Sequence, residues 1–141
     1  MKKNIVLVIL GFTISLAAIS QSVKVPTAVK NAFKAKFPTA TNIKWGKENS
    51  KEFEADFKLN GTTMSANFDA KGNWTETETQ IATTALPDAV TTAIKTKYPG
   101  SVITKGDKIE KPSKTLYEAD VKVNNKKMEV ILTPEGTFTK S

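Results

Sequence analysis

The sequence predicts an α+β protein of two tandem repeats, each one helix followed by a four-stranded antiparallel sheet, with the helix on one face and the other face open. Three observations predict this: a proline-bounded helical stripe that occurs twice, an alternating strand pair with a tight Asn-containing turn that occurs twice, and the same order of motifs in both halves. Val25-Pro26-Thr27-Ala28-Val29 and the Ala32 to Pro38 stretch return, 61 residues on, as Leu86-Pro87-Asp88-Ala89-Val90 and Ala93 to Pro99. Phe53-Glu54-Ala55-Asp56-Phe57 and Gly72-Asn73-Trp74 return, 64 residues on, as Tyr117-Glu118-Ala119-Asp120-Val121 and Gly136-Thr137-Phe138. Two matched blocks in one order mark a duplication. The added residues of the second copy are expected in a loop around Lys108 to Ser113.

Ahead of the repeats stands a processing segment. Lys2 and Lys3 precede a 15-residue apolar run from Ile5 to Ile19, and Ala18-Ile19-Ser20 has the small residues that a signal peptidase reads. The run is shorter than the roughly 20 residues that span a bilayer as a helix. The expected organisation is therefore a signal peptide over 1–20, a first repeat over 21–82 and a second over 83–141. The mature chain should carry no membrane span and reach the periplasm or the medium.

In the first repeat Val25, Val29, Ala32, Phe33 and Phe37 fall on one helical face, with Pro26 in the first turn and Pro38 ending the run. Leu86, Val90, Ala93, Ile94 and Tyr98 repeat it between Pro87 and Pro99. Thr41 to Trp45 and Val102 to Lys105 supply a first strand after each helix, and Trp45 reads as core. From Glu52 to Leu59 apolar and charged residues alternate, as a half-buried strand requires. Asn60-Gly61 suits a type I′ turn, whose central residues both need positive φ. A two-residue loop there pairs Phe57 with Met64, Ala55 with Ala66 and Phe53 with Phe68, which puts all six on one face. Asn124-Asn125 likewise pairs Val121 with Met128, Ala119 with Val130 and Tyr117 with Leu132. Turns at Asp69 to Gly72 and at Pro134 to Gly136 lead to a closing strand in each repeat.

Composition removes several chemistries. The chain has 141 residues, no Cys and no His, so it has no imidazole- or thiol-based triad, no disulfide and no ordinary zinc or haem site, and no cofactor is expected. Its net charge of +7 comes from 21 basic residues, all Lys. Without Arg, and with lysines interleaved with acids, it does not read as a nucleic-acid binder.

With the apolar hairpin residues under the helix, Glu52, Glu54 and Asp56 of the first repeat face outward, as do Glu118, Asp120 and Glu129 of the second. Glu76 and Glu78 belong to the closing strand, and burying them beside a helix would be costly. Alternation then puts Trp74 on their open face and, by repeat, Phe138. These two rings are candidate partner anchors, with a core position over a sheet edge as the other reading. Asp120 stands opposite Glu129, an unfavourable like-charge pair. Either a hard cation held with Glu118 or, the favoured reading, screening by Lys122 and Lys127 would offset it. No residue pattern points to catalysis.

The motifs Pro-x-Ala-Val-x-x-Ala-Phe ending in Phe-Pro, then Phe-Glu-Ala-Asp-Phe, Asn-Gly, Phe-Asp-Ala-Lys-Gly-Asn-Trp, Glu-Thr-Glu and Leu-Pro, resemble the PepSY-like exported proteins of the beta-lactamase-inhibitor-protein fold group over residues 22–141. The resemblance implies a tandem helix-plus-sheet fold with a concave sheet surface that, in the inhibitor itself, grips an enzyme. It implies no catalytic residues, and the inhibitor's disulfides have no counterpart here. The expected function is a noncatalytic exported interaction module, an inhibitor or assembly factor for an unidentified protein partner. The alternative is a small-ligand or cation carrier using the same surface.

Overall fold

The computed structural model describes residues 23–139; the expected signal peptide and its cleavage site lie outside them. The elements run α1 (Thr27–Lys36), β1 (Thr41–Lys47), β2 (Glu52–Leu59), β3 (Thr62–Asp69) and β4 (Trp74–Ile81), then a short 3-10 turn (Thr83–Ala85). They continue as α2 (Asp88–Lys97), β5 (Val102–Lys111), β6 (Lys114–Val123) and β7 (Lys126–Leu132). The strands form one seven-stranded sheet in sequence order. This corrects the expectation of two repeats each with its own four-stranded sheet.

Two features of the chain account for the correction. The stretch expected as a loop from Lys108 to Ser113 is strand on both sides of a turn at Pro112 and Ser113, so β5 and β6 form a ten-residue hairpin. A hydrogen-bonded neighbour for β4 also removes an exposed edge that a separate sheet would have left. Among the described residues, the closing strand of the second repeat is a single bridge between Leu132 and Phe138. The described residues group into two compact units, one of 23–80 with 108–115, the other of 81–107 with 116–139.

Both helices start and stop for the same reasons. Pro26 (φ −58°) and Pro87 (φ −56°) occupy the N-cap positions, one residue ahead of the expected first turn. Phe37 and Tyr98 close the helices, each N–H donating to a carbonyl four residues back, Phe33 and Ile94, at 2.8 Å. Each is followed by proline, which disfavours the helical region for the residue before it.

In the first unit, Val29 and Phe33 of α1 pack on Phe53, Ala55 and Phe57 of β2 and on Ala66 and Phe68 of β3. The register is the one that the Asn60-Gly61 turn dictates, Phe57 with Met64, Ala55 with Ala66 and Phe53 with Phe68, and both turn residues have positive φ (51° and 82°). Ala55 and Ala66 form a flat strip that admits the Phe33 ring, which meets Phe57 edge-on at 5.0 Å and Trp45 at 5.2 Å. Trp45 thus lies in the core margin, as expected. In the second unit, Val90 and Ile94 of α2 pack on Ala119, Val121, Val130 and Leu132. The Asn124-Asn125 turn sets the expected pairs Val121 with Met128, Ala119 with Val130 and Tyr117 with Leu132.

Candidate functional site

The face of the first unit away from α1 is built by parity. Along β2, Phe53, Ala55 and Phe57 are spent on the core, so Glu52, Glu54 and Asp56 point the other way. The register then lays out two rows across the strands. Gly46, Glu54, Asn67 and Glu76 form one; Lys44, Asp56, Ser65 and Glu78 form the other. The five carboxylates Glu52, Glu54, Asp56, Glu76 and Glu78 expected on one face therefore do share it.

Trp74 does not join them, and this expectation is corrected. The pairing of Asn67 with Glu76 and of Phe68 with Trp74 leaves Thr75 as an extra residue, a β-bulge. The bulge breaks the alternation between Trp74 and Glu76. Trp74 turns to the helix side and packs against the core, its Nε1–H donating to Thr77 Oγ1 at 2.8 Å and its ring lying 4.0 Å under the Lys36 ammonium. Phe138 behaves in the same way in the second unit, packed against its core, 6.1 Å from the Tyr98 ring and 3.9 Å under the Lys97 ammonium. Both rings take the core reading.

Electrostatics distinguish the carboxylates. Glu54 is pushed up to about 7, first by burial and then by the charges of Asp56, Glu48 and Glu76; a hydrogen bond with Ser65 opposes this only in part. Glu52 is held below the usual carboxylate range by the Thr75 hydroxyl beside it and by a hydrogen bond from Asn49. Asn49 donates to Glu52 Oε2 at 2.7 Å, while its own Oδ1 accepts from the backbone N–H groups of Lys51 and Glu52. That side-chain turn fixes the corner of a pocket of about 160 Å³ lined by Glu48, Asn49, Glu52, Asn67, Thr75, Glu76 and Lys111. Lys111 closes it through an ion pair to Glu76.

In the second unit, Glu118, Asp120 and Glu129 each present an oxygen within 4.8 Å of the others. Asp120 pairs directly with Glu129, as expected, and Glu129 is raised, by burial first and then by Asp120. The screening cation is not the expected one. Lys122 and Lys127 stand opposite each other, whereas Lys105 on β5 is the lysine that acts to lower Glu129. Burial works to lower Lys105, but the hydrogen bond and charge of Asp107, with Glu118 and Asp120, outweigh it and raise the ammonium. Its contact with the buried Asp107 is 2.8 Å. Three clustered oxygens fall short of the six or more that calcium takes.

Sequence reasoning missed Glu48, Asn49, Lys105, Asp107 and Lys111 as parts of these faces. Lys111 and Asp107 lie in or beside the stretch expected as a loop, where side-chain direction cannot be read. Asn49 does carry a signal, since Asn three residues before a strand's first carboxylate is a turn former.

Among the described residues no helix is long and apolar enough to cross a membrane. No curated protein matches the chain. A BLIP-like protein of Bacteroides fragilis is similar in structure with 30% identity and a TM-score of 0.68, over 82% of this chain and 84% of that one. A DUF2874 family protein of Bacteroides ovatus has 26% identity and a TM-score of 0.72, over 82% and 84%. A Bacteroides eggerthii structure described as "putative periplasmic proteins" shares the fold, with 24% identity and a TM-score of 0.74 over 82% and 86%. The family profile "Putative beta-lactamase-inhibitor-like, PepSY-like" matches residues 16–64 and 51–140, in two segments as a duplicated chain should. With the helix-backed hairpins and the outward carboxylates in place, the chain belongs to the PepSY-like family.

Proposed function

We propose that the protein is a noncatalytic exported module that holds a basic segment of a partner protein against its carboxylate-bearing sheet faces, as an inhibitor or assembly factor for an envelope or secreted protein. Glu54 is the observation that carries this reading. A carboxyl raised to about 7 by burial and by Asp56, Glu48 and Glu76 marks a face that resists its own charge. Positive groups from a partner relieve that repulsion, so charge complementarity works in favour of association. The chain as a whole carries 21 basic residues against 14 acidic ones, whereas five carboxylates share this face. Trp74 and Phe138 pack against the cores on the helix side, and this reading does not rest on them. The pocket is lined by polar and charged side chains, which favours protein contact over carriage of an apolar ligand.

Export rests on the lysine-led apolar run with cleavage after Ser20, and a periplasmic destination accords with the description of the Bacteroides eggerthii neighbour. The test is capture from native envelope extract by the protein and by the triple variant Glu52→Gln, Glu54→Gln, Asp56→Asn. Capture should weaken with added salt and fall about tenfold in the variant. Salt-insensitive capture that the variant retains in full would refute the reading.

A further inference from the structure

The pocket of the first unit contains more than an acidic cluster. Asn67 lines it, is only 7% exposed, and its Oδ1 has no hydrogen-bond partner. A buried amide oxygen without a donor loses its hydration with nothing in return, so this position calls for an N–H or O–H group. Around it stand Glu48, Glu52 and Glu76 with one internal cation, Lys111, whose ammonium pairs with Glu76. The set is thus left with two carboxylate charges in excess and one neutral acceptor. Thr75 and Asn49 hold the Glu52 carboxyl below the usual carboxylate range.

The acceptor set suits an extended donor better than a point charge. The carboxylates come from β2, from β4 and from the turn after β1, and they do not converge on one point as the Glu118, Asp120 and Glu129 oxygens do. A metal ion needs convergence. A guanidinium offers five N–H donors in a planar fork and is weakly hydrated, so it can span several carboxylates and reach an amide oxygen together. This chain contains no Arg to supply one. The volume, about 160 Å³, equals that of about five liquid waters, enough for a planar head group.

We propose that this pocket receives a guanidinium group, an arginine side chain of the bound partner, which enters between Glu52 and Glu76 by displacing the Lys111 ammonium. This deepens the reading of the face as a protein-binding surface and rests on it for the source of the arginine. Lys111 then acts as a resident counter-ion to Glu76 until the stronger fork arrives.

The experiment titrates the full chain, and its Lys111→Met variant, with blocked arginine amide, blocked lysine amide, blocked citrulline amide and calcium chloride. The readout is the NMR shift of the Asn67 side-chain amide and of the Glu52 and Glu76 carboxyl carbons. Arginine amide should shift all three saturably and bind at least about fivefold more tightly than lysine amide, with citrulline inert. Lys111→Met should tighten arginine binding about three- to fivefold, since a partly exposed ion pair is worth up to about 1 kcal/mol. Equal response to lysine, a response to calcium in place of arginine, or no saturable shift in either protein would overturn the proposal. Arginine binding in the pocket with no partner captured would uphold the pocket and reject the module reading. Capture without arginine binding would do the reverse.

Discussion

Phe33→Ala is expected to lower the unfolding free energy by about 3–5 kcal/mol, the range for emptying a large aromatic from a core. Phe33 is 3% exposed and its ring meets Phe37, Trp45, Phe57 and Phe68 at centroid distances of 5.4, 5.2, 5.0 and 6.3 Å. Each such pair adds about 0.5–1.5 kcal/mol beyond area burial. Urea denaturation of the two proteins measures the difference, and Phe33→Leu should recover more than half of it. A loss below about 1 kcal/mol would mean that α1 does not close the first unit's core.

The second large effect is at the turns that follow β3 and β7. Gly72 has φ +87°, and a Cβ there would stand 2.7 Å from the Ala28 carbonyl oxygen in the first turn of α1. Gly136 repeats this against the Ala89 carbonyl, with φ +84°. Backbone cannot yield as a side chain does. Gly72→Ala and Gly136→Ala should each cost about 2–5 kcal/mol, combining the left-handed strain of about 1–2 kcal/mol with overpacking of about 1–3. Gly61→Ala is the control, because φ is +82° but nothing lies within 4 Å of its Cβ. It should cost only the strain, about 1–2 kcal/mol. Equal losses at all three positions would show that the turns do not press on the helices.

How far the sequence was legible depended on whether a feature is periodic. The Asn60-Gly61 and Asn124-Asn125 turns combine positive φ with alternation on both flanks, so the register of both hairpins could be read residue by residue. The Phe-Pro and Tyr-Pro ends of the helices were equally plain. Thr75 was not, because a bulge inserts one residue with no mark in composition, and everything after it changes side relative to Trp74. That single residue moved the expected anchor into the core. The second half of the ten-residue β5 was hidden by its charges, since the strand was read only to Lys105 and Lys108 and Glu110 fell in the stretch read as loop. Inside the fold two ion pairs, Lys105 with Asp107 and Lys108 with Glu110, make those charges acceptable in a strand. The carboxylate face was legible because it is the complement of the apolar one. Its pocket was not, because Lys111 reaches it from a strand distant in sequence.

The outward face also predicts how stability depends on pH. Glu54 has a folded value of about 7 against 4.5 for the free side chain, so the folded state binds the proton more tightly. Stability is therefore greatest below about 4.5 for this group and is lost as pH rises through about 7. Replacing Glu54 with Gln should gain of order 1 kcal/mol at pH 8, after allowing for solvent screening of a half-buried group, and little at pH 4.

The central claim is that carboxylates from neighbouring strands crowd the sheet face away from α1. A carbon-detected NMR titration of the Glu54 side-chain carboxyl tests it most directly, since only burial beside Asp56, Glu48 and Glu76 raises that group. The account predicts a midpoint of about 7. A midpoint at or below 4.5, the value for an isolated glutamate, would contradict it.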